Sequence, residues 1–286
     1  MTPEEFDGLR AFVNTPEGKI AYVEKGDGPV AVFVHAYALN GYQWRHALDE
    51  LSSIRRCIAI DVLAMGHTEA KRDQDLSLKG QAQMLGSFLD ALGIDEVDLI
   101  GNDSGGGVCQ VFAARNPNRV RTMTLTNSEA HDNYPPEGLM PLIGAAQGGA
   151  LAGILQGMIA EPDTARANMG VALYENAETA FSDELVNVYL APLVRSEEAA
   201  DDFTRYTATM NPESTVEIEE LLKELDVPTL LIWGNGDPIF PLKWAEWLHA
   251  TLPRCEPIVE VTGGKLCWPE EHPEALIENL RRFWSA

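Results

Sequence analysis

The sequence predicts an α/β fold, a mostly parallel sheet flanked by helices, from three observations. Strand and helix patterns alternate along nearly the whole chain, as a layered α/β domain requires. Most strand candidates are continuous apolar runs rather than alternating ones, so both their faces are covered. One such run ends in a glycine-rich turn and passes directly into a helix. The chain has 286 residues and is 45% hydrophobic, which suits one large domain carrying an insertion, or two modest ones.

Residues 18–24 alternate in the manner of an early antiparallel strand. Apolar runs at 30–35, 56–61, 97–101, 121–127, 228–233 and 257–261 read as buried strands. Helical spacing covers 77–92, 106–116, 242–252 and 273–284 between and after them. Residues 131–217 break the rhythm: no strand is convincing, and Pro135-Pro136, Glu161-Pro162 and Asn211-Pro212 interrupt helix-like patches. An all-helical insert of that length between two strands is expected to form a lid over the strands' C-terminal ends. The division is therefore a core of 1–130 and 218–286, and a lid of 131–217.

The formal charge of −23 argues against nucleic acid and against anionic membrane surfaces as partners. No apolar run reaches the roughly 18 residues of a membrane span, and the first residues lack the features of a secretory signal. Cys57, Cys109, Cys255 and Cys267 stand singly without zinc-like spacing, so reduced thiols, a cytoplasmic location and no metal are expected. The expected partner is a small-molecule substrate, with no cofactor; monomer and homodimer both stay open.

The most informative stretch is Val97-Asp98-Leu99-Ile100-Gly101-Asn102-Asp103-Ser104-Gly105-Gly106-Gly107. It has the layout of a nucleophile elbow, where a strand turns sharply into a helix and lifts one side chain above the sheet edge. The turn needs small residues two before and two after its apex, and Gly101 and Gly105 fill both places around Asp103. Centring it on Ser104 would put Asn102 where a small residue belongs. The lifted group is therefore a carboxylate.

Further motifs carry a resemblance. His35-Ala36-Tyr37-Ala38 with Trp44 resembles the loop after the third strand of α/β-hydrolases. Asp61-Val62-Leu63-Ala64-Met65-Gly66-His67-Thr68 resembles their Asp-x-x-Gly-x-Gly-x-Ser loop. Trp233-Gly234-Asn235-Gly236-Asp237-Pro238 is similar to the loop carrying the triad acid, and Pro269-Glu270-Glu271-His272-Pro273 to the start of the last helix. The chain thus resembles the α/β-hydrolase superfamily. The aspartate at the elbow points to the branch of haloalkane dehalogenases, fluoroacetate dehalogenases and epoxide hydrolases. The resemblance implies an α/β-hydrolase fold with a mostly parallel eight-stranded sheet and a helical lid after the sixth strand. It also implies that Asp103 attacks an sp³ carbon to form an alkyl ester, with the Tyr37 and Ser104 N–H groups as oxyanion donors.

The family's histidine is missing. Counting back from Pro273 to its usual place lands on Leu266 beside Lys265, in Thr262-Gly263-Gly264-Lys265-Leu266-Cys267-Trp268. A leucine cannot accept a proton, and Lys265 can do so only if desolvation lowers its pKa by several units. His131, beside Glu129 where the lid begins, is the leading substitute. His35 is expected to support the oxyanion loop. Asp237 and Glu129 rank equally as the orienting acid. The halide-cradling Trp and Asn of dehalogenases are replaced by Ser104 and Tyr37, and the arginine that follows the aspartate in fluoroacetate dehalogenases is absent, so halide release is poorly supported. Tyr134, Tyr189 and Tyr206 are the lid tyrosines available to a substrate oxygen, Tyr174 being a further one, with Leu266 and Trp268 as expected pocket residues.

Three readings follow. The leading one is hydrolysis of a small, largely apolar organic molecule through an aspartyl ester, epoxide-hydrolase-like more than dehalogenase-like. The second is a lyase, cyclase or isomerase with Asp103 as general base, since a carboxylate under an apolar lid has its pKa raised toward neutrality. The third is a binding protein that has lost its base.

Overall fold

The computed structural model describes residues 1–285. Eight strands form one sheet: β1 (Arg10–Thr15), β2 (Gly18–Lys25), β3 (Val30–Val34), β4 (Arg56–Ile60), β5 (Val97–Asp103), β6 (Val120–Ser128), β7 (Thr229–Gly234) and β8 (Val259–Val261). Their order is β1-β2-β4-β3-β5-β6-β7-β8. β2 runs antiparallel to both β1 and β4, and every later pairing is parallel. The apolar runs sit where covered strands belong: every residue of β5 and β7 is buried.

β1 is the strand that the apolar runs do not reveal. It is an edge strand with alternating half-buried and exposed residues, so it carries no continuous apolar run. The elbow helix begins at Ser104 and ends at Arg115, two residues earlier than its periodicity suggests, because Gly105-Gly106-Gly107 mask the apolar stripe.

Between β6 and β7 the structure is helical, running from Glu137–Leu139 to Glu219–Lys223 in short pieces. The helical stretches Glu137–Gln147 and Leu151–Ala160 meet at 109°, and the Glu197–Ala208 helix packs against both. Among the described residues, no single helix is long and apolar enough to cross a membrane.

The parallel strands end together, and β5 lies at the middle of the row. That places the β5–helix turn at the sheet's C-terminal edge, where open α/β sheets present their sites.

Candidate active site

Asp103 occupies the apex of the turn, with φ +54° and ψ −131°, and Ser104 is already the first residue of the helix. A non-glycine residue held there is strained, and such strain is kept where the surroundings over-determine it. The flanking glycines are demanded by close approach. A β-carbon on Gly101 would lie 2.5 Å from the Gly105 carbonyl oxygen, and one on Gly105 would overlap the Val34 carbonyl. Asn102 points beneath the turn, where it accepts from Gln43 at 2.7 Å and donates to the Thr126 and Leu266 carbonyls.

Above the turn is an open-mouthed cavity of about 430 Å³. Asp103, Tyr37 and Leu266 line it, together with apolar side chains from the helical segment such as Leu142, Leu155, Met158 and Phe203. Leu266 therefore presents an alkyl group to the cavity. Among the described residues on the wall, Asp103 is the sole carboxyl or amine group, and no histidine is present. The Tyr37 hydroxyl is tied to Thr207 at 2.9 Å and its pKa is pushed well up by burial.

The Tyr37 backbone N–H donates to Asp103 Oδ2 at 3.1 Å, and the Ser104 N–H lies beside the same carboxylate. Burial raises the Asp103 pKa to about 7. The Glu129 contact and the two N–H donors pull it back down, while the charge of Asp237 pushes it further up. Glu129, with no exposed surface, follows β6 directly, next to the Ser128 that pairs with Asp103. Burial, then the Asp103 charge, drives its pKa well above the ordinary glutamate range. Asp237 is also buried and lifted to about 6, opposed by the Ile239 and Phe240 N–H groups and by Asn127, which donates at 2.9 Å.

Several expected residues lie elsewhere. His131 is not on the cavity wall: its Nδ1 pairs with Glu219 and its ring stacks on Trp247. Lys265 is also off the wall, its Nζ donating to the Val171 carbonyl at 2.7 Å. The Tyr189 hydroxyl donates to Glu270 at 2.7 Å, a carboxylate also bonded by Tyr174 and Arg45, so Tyr189 serves a separate buried cluster. Trp268 donates to Asn127 at 2.9 Å behind the site rather than facing the cavity. Tyr134 and Tyr206 do not line the cavity either. Both are buried and line a separate small cleft with Leu76 and Ser77. Ser104 Oγ is buried without a hydrogen-bond partner. The Val62 N–H donates to His35 Nε2 at 3.1 Å, so Nδ1 carries the hydrogen and donates to the Ala36 carbonyl. His35 thus ties two loops together as a neutral ring.

Asn102, Gln43 and Asn127 form the polar floor and were not singled out from the sequence. A usable signal existed for Asn127. Residues 126–129, Thr-Asn-Ser-Glu, are four polar residues in a row at the end of β6, and all four are buried.

The alpha/beta hydrolase fold family matches residues 29–266, and the chain belongs to that family. It is 29% identical over 249 residues to a 2-hydroxymuconate semialdehyde hydrolase of Pseudomonas sp. strain CF600, covering 85% of this chain and 78% of that protein. A shorter match, 33% over 120 residues, is to a haloalkane dehalogenase of Agrobacterium fabrum, covering 42% of this chain and 39% of that one. An alpha/beta hydrolase fold protein from Burkholderia ambifaria superposes with a TM-score of 0.82 at 23% identity, over 95% of this chain and 97% of that chain. The relatives so named are enzymes, and hydrolases.

Proposed function

We propose that this chain is an enzyme that moves a proton on a small, largely apolar organic substrate, with Asp103 as its acid–base group. It is then a lyase, isomerase or cyclase built on a hydrolase fold. The observation that carries this reading is that Asp103 is the one carboxyl or amine group on the described cavity wall, with Leu266 facing it. An aspartyl ester could form here, but its hydrolysis needs a base within hydrogen-bond reach of the attacking water. The histidine nearest in sequence to that task, His131, is engaged with Glu219. Proton abstraction needs no second group. A carboxyl group lifted to about 7 is matched to proton transfer near neutrality.

In the proposed step a substrate C–H bond breaks and its proton passes to the Asp103 carboxylate. The electron pair stays on the substrate, as an enolate or as the bond that expels a leaving group. The proton returns to the product or to solvent. The apolar walls exclude water from the anion as it forms.

A nitrobenzisoxazole tests this, because it opens to a coloured cyanophenolate when a carboxylate in an apolar site removes its ring proton. The expected result is a rate above background that rises with pH through about 7 and is lost in Asp103→Asn.

Aspartyl-ester hydrolysis is the second reading. It is favoured by the Tyr37 and Ser104 N–H groups on the Asp103 carboxylate and by the relatives' hydrolase names. Mass spectrometry after incubation with simple epoxides or alkyl halides separates the two. Turnover, or an adduct on Asp103, without benzisoxazole opening would replace proton transfer by ester chemistry. Neither activity would leave a binding protein.

A further inference from the structure

Two buried carboxyl groups lie at adjoining strand ends at the base of the elbow, and among the described residues neither is paired with a cation. Glu129 and Asp103 are both buried, at the ends of the neighbouring strands β6 and β5, whose register brings Asp103 opposite Ser128. Neither Glu129 oxygen has a donor at hydrogen-bonding geometry. A β-carbon on Gly107 would lie 3.4 Å from Glu129 Oε2, so the side chain packs against the first turn of the elbow helix.

Among the described residues, the titratable groups that act on the pair are Tyr37 from the loop after β3, Tyr134 and Tyr206 from the segment between β6 and β7, Asp237 from the loop after β7 and Cys267 from the loop after β8. None of these is a cation at any pH. Lys265 donates to the Val171 carbonyl instead. Two like charges in contact in such surroundings cannot both stay ionised.

We propose that Glu129 holds its carboxyl group protonated against the Asp103 carboxylate, so that the pair shares one proton and Glu129 acts as the positioning residue that sets when Asp103 accepts a second. The inference rests on Asp103 being the reacting carboxylate. In the resting site Glu129 O–H donates to Asp103, and the Tyr37 and Ser104 N–H groups hold the same carboxylate. During turnover the pair passes from one proton to two, and the negative charge moves to the substrate. When the proton is given back, the original state returns. Glu129 touches no substrate in this scheme. By donating to the ionised form of Asp103 it restrains the rise that burial alone would cause, which keeps the base ionised near neutrality.

The test needs no substrate, so it stands apart from the benzisoxazole assay. Infrared spectroscopy of protein carrying carbon-13 in its aspartate carboxyls separates Asp103 from Glu129. The wild type is expected to show a glutamic acid C=O stretch that persists at about pH 8, above the ordinary range of exposed carboxyls, and vanishes in Glu129→Gln. Glu129→Leu, which removes the donor, should move the Asp103 midpoint to higher pH by on the order of one pH unit. Glu129→Gln, which keeps a neutral donor, should leave it near its wild-type value. No protonated glutamic acid band in the wild type would overturn the proposal, even if Glu129→Leu does not fold. A midpoint that falls in Glu129→Leu would also overturn it, since that result means Glu129 was ionised. If the spectra behave as expected while the benzisoxazole is left untouched, the shared proton stands and the proton-transfer reading fails.

Discussion

Asp98 and Asp103 lie at opposite ends of the same strand, both buried, and the fold treats them in opposite ways. Asp98 is fully compensated. Arg55 Nε donates to it at 2.9 Å, Arg121 at 2.9 and 2.7 Å, and the Thr122 hydroxyl at 2.8 Å. Asp103 has one backbone donor, a second buried carboxyl group nearby and an apolar cavity. A buried charge that only supports the fold is paired, because leaving it unpaired costs several kcal/mol. A reacting carboxylate that must change its protonation state cannot be pinned by an arginine. The contrast separates a structural acid from a chemical one within one strand.

Asp103→Asn should produce the largest effect. Removing a positioned base typically costs ~10²–10⁴-fold in the step it serves. Benzisoxazole opening should fall by that order, while the midpoint of urea unfolding at about pH 8 holds or rises, because a poorly compensated charge has been removed. A large loss of stability would put Asp103 in the same class as Asp98.

Asp98→Ala should behave in the opposite way. It strands Arg55 and Arg121, whose side chains are 13% and 31% exposed. The expected loss is about 2–4 kcal/mol, toward the low end for a broken buried pair because Arg121 reaches solvent. The pH midpoint of the remaining activity should stay put. A shift in that midpoint would mean that the two ends of β5 are electrostatically coupled.

The dependence of stability on pH sharpens the comparison further. The folded pKa values of Asp103 and Asp237, about 7 and about 6, lie above those of an unfolded aspartate. Folding therefore disfavours their ionised forms. That penalty is present in full above pH 7 and is relieved as pH falls toward about 4, at up to ~1.4 kcal/mol per pH unit for each proton taken up. Asp61 has the opposite sign. Burial opposes ionisation there, but His67, Arg10 and the Gly41 N–H outweigh it and hold the pKa below the ordinary value. Its contribution is present above about pH 4 and lost below that. Urea midpoints measured across this range should peak near pH 4–5. A steady rise from about pH 5 to pH 8 would mean that Asp103 is compensated after all.

Tyr37→Phe should have the smallest effect. It removes the hydroxyl contact to Thr207, worth about 1 kcal/mol, and keeps the ring stacked on Phe203. Because the backbone N–H is what touches Asp103, the Asp103 midpoint should not move. A moved midpoint would assign the side chain a direct electrostatic role.

The elbow was legible because its signal is local: a turn this tight excludes side chains at Gly101 and Gly105, and both glycines stand in one short stretch of sequence. The buried strands were legible for a similar reason, since each must be apolar on both faces. β1 was not, because an edge strand needs only one covered face. The tyrosines and tryptophan expected in the pocket were legible as residues but not as partners. Tyr189 and Trp268 are claimed by Glu270 and Asn127, which are distant in sequence.

The sequence by itself determined the fold and the carboxylate at the turn, because each follows from residue type and short-range spacing. It left Glu129 and Asp237 equal as the acid that would orient a base. Only the tertiary structure separated them, packing Glu129 against Asp103 and tying Asp237 to Asn127. Which side chains meet at the ends of parallel strands depends on strand order and register. Those are set by long crossover connections, and no local pattern in the chain records them.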